Sequence, residues 1–223
     1  NTMNGFIVDV FPLTTTTYCV TITDDCETPP VQQCVTVWVY NAPVVSFSQD
    51  TTEGCAPVEI QFTNNTAPNL VGDVLWDFGD GNTSTAQNPS NLYAAAGAYT
   101  IDLTVTTDEG CSASIQGNTT RFGLPTADFT VADVCHNQQI TVQETSNITA
   151  PDVISNYDWT LGDGNTGAGA TANHTYGASG TFDITLTTTS NNGCTDDITH
   201  PVTIYPEPVA DFNSSTVCVN TPP

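Results

Sequence analysis

The sequence predicts an all-β chain made of tandem antiparallel β-sandwiches. Three observations carry that expectation. Apolar residues alternate with Thr or Asp over short runs, Gly, Asn and Pro punctuate those runs, and the chain matches itself at an offset of 83 residues.

Residues 1–43 carry two alternating stripes, Tyr18-Val20-Ile22 and Val35-Val37-Val39, joined by a loop from Asp24 to Pro30. They read as the C-terminal hairpin of a truncated domain. Residues 44–126 form the first whole unit, with stripes at Val58-Ile60-Phe62, Val74-Trp76-Phe78 and Tyr99-Ile101-Leu103-Val105. Residues 127–208 form the second, with stripes at Ile140-Val142 and Phe182-Ile184-Leu186. Period two places each stripe on one face of a half-buried strand. Residues 209–223 read as the first strand of a further copy, because Asp211-Phe212 falls on Asp128-Phe129.

The offset superimposes Trp76 on Trp159, Gly79-Asp80-Gly81 on Gly162-Asp163-Gly164, Tyr93 on Tyr176, Tyr99 on Phe182, and Gly110-Cys111 on Gly193-Cys194. Trp76 and Trp159 stand at inward positions just before the Gly-Asp-Gly bend, so both are expected to anchor a core. Trp38 falls on the other face of its strand from its valines. It is expected to pack either between domains or in its own sandwich.

Composition excludes several functions. The chain has 223 residues, 24 Asp plus Glu and one Lys or Arg, for a formal charge of 1 − 24 = −23. Such a surface repels nucleic acid phosphate and anionic lipid. No apolar run approaches the length of a membrane span. Eight cysteines at wide spacings, with no CxxC pair, point to disulfides in an oxidising, extracellular compartment and away from zinc.

The run Trp76-Asp77-Phe78-Gly79-Asp80-Gly81, with Asn88-Pro89, Tyr93 and Gly97-Ala98-Tyr99, resembles the polycystic kidney disease (PKD) domain. The second unit keeps Trp159, Gly162-Asp163-Gly164, His174-Thr175-Tyr176 and Gly180-Thr181-Phe182, with Thr160-Leu161 in place of Asp-Phe. The resemblance implies immunoglobulin-like sandwiches that serve as spacers, without catalytic residues. Cysteine-paired arrays of this kind look like those of large bacterial surface adhesins and filaments exported by the type IX pathway.

Position in the repeat pairs Cys55 with Cys111 and Cys135 with Cys194, closing loops of about 57 to 60 residues. Cys218 then has no partner in the chain. In the first segment Cys19 and Cys34 are placed to bridge the hairpin, with Cys26 bonding upstream as one of several pairings. Asp80 and Asp163 read first as turn formers. Together with Asp24 and Asp25 they are also weak calcium candidates, lacking the spacing of an EF-hand loop. Asp196-Asp197 is a further carboxylate cluster at a loop tip. Asp50-Thr51-Thr52 resembles an O-glycosylation signal, which makes Thr51 a candidate site. His136, His174 and His200 have no recurring nucleophile beside them, so no enzyme and no cofactor are expected.

The expected role is a load-bearing spacer in an extracellular adhesin or fibre, with antiparallel terminal strands loaded in shear. Its partners would be neighbouring repeats of the same chain, further copies in a homo-oligomeric fibre, and a surface glycan or protein met by a tip outside the segment. Two alternatives stand beside this one: a non-catalytic substrate-tethering module of a secreted hydrolase, and a self-associating multi-chain filament.

Overall fold

The computed structural model describes residues 8–23, 29–68 and 72–214, and these are all-β with no α-helix among them. The hairpin comes first. Strands β1 (Thr16–Ile22) and β2 (Val31–Val37) pair antiparallel with Cys19 opposite Cys34, and those two cysteines are disulfide-bonded. Val20, Ile22, Val31 and Val35 stay exposed, so this alternation builds a ribbon without a buried face. A two-stranded ribbon alone is marginal, and the cross-link ties it shut.

Each repeat then folds into two sheets. In the first, β3 (Phe47–Gln49), β5 (Val58–Asn64) and β8 (Ser90–Tyr93) form one sheet in the order β3-β5-β8. The other holds β4 (Glu53–Cys55), β6 (Asp73–Asp77), β7 (Thr83–Ser84), β9 (Gly97–Thr106) and β10 (Ser112–Phe122) in the order β4-β10-β9-β6-β7. The second repeat places β11 (Phe129–Thr130), β13 (Gln139–Glu144) and β16 (Thr171–Thr175) in one sheet. Its other sheet orders β12 (Val134–Cys135), β18 (Thr195–Tyr205), β17 (Gly180–Ser190), β14 (Ile154–Thr160) and β15 (Thr166–Ala168) as β12-β18-β17-β14-β15.

The opening segment of each repeat crosses from one sheet to the other, and its second half runs parallel to the last strand. Cys55 sits opposite Phe122, and Cys135 opposite Tyr205. The terminal strands are therefore parallel where the sequence reading had them antiparallel. Parallel strands pulled from opposite ends slide past each other, so this pairing, and not the expected one, is the one loaded in shear.

The chain forms two compact units whose boundary differs from that of the repeats. One comprises Asn1–Thr52, Glu59–Leu92 and Ala98–Thr119, the other Glu53–Val58, Tyr93–Gly97 and Thr120–Pro223. In the first unit Trp76 is fully buried, meets Phe47 edge-on at 5.3 Å and Phe62 at 5.5 Å, and donates its indole N–H to Ala86 O at 3.0 Å. Ile101, Leu103 and Val105 complete the inner stripe. In the second unit Trp159 repeats the arrangement, edge-on to Phe129 at 5.1 Å and donating to Gly169 O at 2.8 Å. Around it pack Ile140, Val142, Leu161, Ile184, Leu186, Val202 and Ile204. Tyr176 is buried, stacks on half-buried Phe182 at 4.1 Å, and donates its hydroxyl to Leu161 O at 2.8 Å. Tyr93 is likewise buried and Tyr99 half-buried. Trp38 is 67% exposed.

Gly79 and Gly162 explain why glycine opens the bend. Both have positive φ, and a Cβ there would lie 2.4 Å from Thr100 O and 2.7 Å from Asp183 O. Gly81 and Gly164, at φ 94° and 91°, have open space around them, so only the backbone angle selects glycine.

Candidate functional site

The residues singled out by the sequence divide between the bends and the ends of the repeats. At the bends the aspartates organise backbone. Asp80 Oδ1 accepts Asn82 N at 2.9 Å, and Oδ2 accepts the amides of Asn82 and Asn91 at 3.0 and 2.8 Å. Asp163 accepts Asn165 N at 3.1 Å and Asn165 Nδ2 at 2.9 Å, with His174 Nε2 2.7 Å away. Burial pushes the Asp163 carboxyl up, but the Asn165 side chain and amide and then His174 outweigh it and hold the group below its usual 3.8. Burial, and secondarily the Asp163 charge, push the Tyr176 phenol up to about 12.

Both aspartates thus spend their oxygens on an asparagine of the turn and on one strand residue, Asn91 of β8 or His174 of β16. Asp24 and Asp25, the other calcium candidates, lie outside the described residues, as do Cys26 and Cys218. Among the described residues no group of three or more His, Cys, Asp or Glu side chains is placed to hold a metal ion. Thr51 lies half-buried between β3 and β4. His200 stacks on Phe129 at 4.7 Å, and His136 Nδ1 lies 3.2 Å from the Asn137 amide. No described helix is long and apolar enough to cross a membrane.

The cysteines depart from expectation. Cys55 is bonded to Cys194, and Cys111 and Cys135 are free thiols, in place of Cys55–Cys111 and Cys135–Cys194. The reason is strand length. Cys194 immediately precedes β18 while Cys135 pairs with its last residue, Tyr205. Ten residue steps at about 3.3 Å separate those ends by roughly 33 Å, whereas a disulfide needs Cα atoms within about 7 Å. Cys111 and Cys55 flank β10 in the same way. A bond within one repeat is excluded, and the bond joins Cys55, in the opening segment of the first repeat beside the end of its last strand, to Cys194, in the turn before the last strand of the second, both inside the second compact unit.

Around this bond the second unit fixes the connecting segment. Ala56 N donates to Phe122 O at 2.9 Å, continuing the β4 ladder past Cys55. Gly123 N donates to Asp152 Oδ2, and the other oxygen of that carboxylate accepts Asn192 Nδ2 at 2.5 Å. A side chain at Gly123 would press on Asp152, since a Cβ would stand 3.0 Å from Oδ2. Four residues on, Ala127 N donates to Asp196 Oδ2 at 2.8 Å. Val153 N donates to Asn191 Oδ1 and Asn191 N to Val153 O, each at 2.9 Å. The turn at Cys194 is closed by Ser190 N donating to Cys194 O at 2.8 Å and Cys194 N to Ser190 Oγ at 3.1 Å. Two carboxylates thus clasp two linker amides beside a covalent bond. The arrangement holds no nucleophile beside a base; what it does is fix backbone.

From the sequence Asp196 reads only as part of a carboxylate cluster at a loop tip, and neither its clasp of Ala127 nor that of Gly123 by Asp152 is foreseen there. Arg121, the single Lys or Arg, was missed too: it is 2% exposed within β10, opposite Gly54, where the second repeat has Ile204.

The PKD domain profile matches residues 40–122 and 123–205, most of the chain. The chain belongs to the PKD domain family. It is 32% identical over 170 residues to the pre-pro-metalloprotease PrtV of Vibrio cholerae, covering 70% of this chain and 18% of that protein. It is 48% identical over 52 residues to a microbial collagenase of Vibrio alginolyticus and 43% identical over 60 residues to the collagenase ColA of Bacillus cereus. Those stretches cover 23% and 26% of this chain and 6% of each collagenase. The chain thus spans under a fifth of the curated relatives it matches. Among solved structures, the PKD1 domain of PrtV is 32% identical, with a TM-score of 0.33 over 36% of this chain and 98% of that one.

Proposed function

We propose that these PKD domains form a non-catalytic accessory segment of an extracellular bacterial hydrolase, tethering an insoluble protein substrate at a set separation from the catalytic part. Similarity to a pre-pro-metalloprotease and to collagenases supports the enzymatic setting. Disulfides support an oxidising one outside the cell.

The observation that carries the reading is the joint. Cys55–Cys194 and the Asp152 and Asp196 clasps fix the connection between repeats. A merely flexible linker needs none of these. Among the described residues, the exposed aromatics Phe11, Trp38, Tyr40 and Phe212 lie outside the strands, and Tyr205 closes β18. The segment therefore acts by spacing and orientation and not through a platform of stacked rings.

The test replaces residues 40–205 of the full-length protein with a Gly/Ser linker of equal residue number. Turnover of a soluble peptide should stay within twofold, while degradation of a fibrous protein substrate falls at least tenfold. Equal loss on both substrates, or on neither, contradicts the proposal. The covalent joint also favours a second reading, the stalk of a surface adhesin or fibre. Under it the full-length protein has no hydrolytic activity, and the replacement abolishes cell attachment instead.

A further inference from the structure

The two repeats present the same pair of cysteine positions, and only half of those positions are bonded. Cys55 and Cys135 are register equivalents. Each ends a short strand parallel to the last strand, opposite Phe122 and Tyr205 respectively. Each is followed by a residue whose N–H donates to that same partner's carbonyl, Ala56 to Phe122 O at 2.9 Å and His136 to Tyr205 O at 2.8 Å. Cys111 and Cys194 are equivalents as well. Thr107 N donates to Cys111 O at 2.9 Å and Ser190 N to Cys194 O at 2.8 Å, with Gly110 and Gly193 at positive φ just before them.

We propose that Cys135 is the attachment point for the next PKD repeat along the polypeptide, bonding the cysteine in the Gly-Cys turn that precedes that repeat's last strand, as Cys55 bonds Cys194. Cys111 is the mirror of this point and receives the cysteine of the preceding domain's opening segment, as Cys194 receives Cys55. Three independent observations converge. The bonded counterpart of Cys135 shows what that position takes, namely a turn cysteine one repeat further on. Cys135 is exposed, as a thiol that awaits a partner must be. At the other end, the connecting segment already passes the second thiol: Cys111 Sγ lies 3.7 Å from Tyr40 O, and Tyr40 is the 83-residue counterpart of Gly123 in the clasped linker. The sequence also carries the start of a following copy, Asp211-Phe212 falling on Asp128-Phe129 at the same offset.

The chemistry is a two-electron oxidation. The Cys135 thiol and the partner thiol form one S–S bond and release two protons and two electrons to an external disulfide oxidant, protein or small molecule, which leaves as two thiols. Each bond spans one joint, so the array becomes a series of covalent staples in which no repeat is closed on itself. This inference stands on strand register and does not depend on the hydrolase reading.

The experiment is disulfide mapping of the full-length protein, collected from outside the cell without reductant and alkylated on denaturation. The expected result is a Cys135 peptide cross-linked to a Gly-Cys turn peptide of the next PKD repeat, alongside Cys55–Cys194. Four results would overturn the proposal: alkylated Cys135, Cys135 bonded to Cys194, Cys135 bonded to a cysteine outside such a turn, or Cys135 bonded to a second polypeptide. No variant is required, so misfolding does not confound the outcome.

Discussion

The two repeats share their cores and differ at their ends. Trp76 and Trp159 occupy equivalent cavities, each donates to a carbonyl ten residues on, and each meets a phenylalanine edge-on. At the ends, Asp152 and Asp196 of the second repeat have Asn69 and Ala113 as sequence counterparts, and Arg121 of the first has Ile204. The comparison teaches that the shared aromatic and glycine residues specify a sandwich, the shared cysteine positions supply the covalent link between sandwiches, and the unshared carboxylates specify how the linker beside that link is held.

Breaking the joint is the largest perturbation the comparison predicts. In the chain-entropy model a bond across 139 residues of separation contributes about 5 kcal/mol, so Cys55→Ser or Cys194→Ser should lower unfolding free energy by up to that amount in chemical denaturation. The same bond hides the intervening chain from force. Pulled by its ends, the reduced protein should extend roughly 480 Å further than the oxidised one, taking about 3.5 Å per residue over the 139 residues. Equal contour lengths with and without reductant would break the account of the joint.

Removing a shared core residue comes next. Trp76→Ala and Trp159→Ala should each cost about 3–5 kcal/mol, measured by denaturation of the oxidised chain, because the repeats use this position alike. A tenfold difference between the two in the folding equilibrium would show that the cores are not equivalent.

The linker clasp is smaller. Asp196→Ala leaves Ala127 N without its acceptor and should cost about 1–3 kcal/mol, with hydrogen exchange accelerating at Ala127 and not at core amides such as that of Ile184. The counterpart Ala113 makes no such clasp, so substitution there should leave linker exchange unchanged.

Proton linkage is the most delicate contrast. Asp80 faces Asn91 where Asp163 faces His174. Asp163 titrates below 3.8 in the folded state, so its stabilisation of the second repeat is present above that value and is lost as pH falls through the lowered one. Tyr176 runs the other way. Its stabilisation is present below pH 10 and is lost as pH rises toward about 12, and Tyr176→Phe should abolish that alkaline leg. His174→Asn copies the first repeat and should raise the Asp163 pKa, read by carboxyl NMR titration, while changing stability by under about 1 kcal/mol at this partly exposed pair.

The sandwich was legible because its determinants recur. Period-two stripes and Gly-Asp-Gly bends at an 83-residue offset report local geometry that any copy must satisfy. The hairpin, too, was readable from its alternation. The joint was not. Position within a repeat says which cysteines are equivalent but not that an 11-residue strand keeps them at opposite ends, which depends on the parallel pairing of β4 with β10 and β12 with β18. The Asp152 and Asp196 clasps lack counterparts altogether, so self-comparison had nothing to superimpose.

Arg121 makes the central claim directly testable. It is the only Lys or Arg, so trypsin divides the unfolded chain once, placing Cys55 and Cys111 in one half and Cys135 and Cys194 in the other. The protein is unfolded in an alkylating denaturant without reductant, digested, and its cross-linked peptides are identified by mass. With Cys55 bonded to Cys194 the halves stay joined through that pair and part only on reduction. Halves that separate without reductant, carrying Cys55–Cys111 and Cys135–Cys194, would contradict the stapled joint.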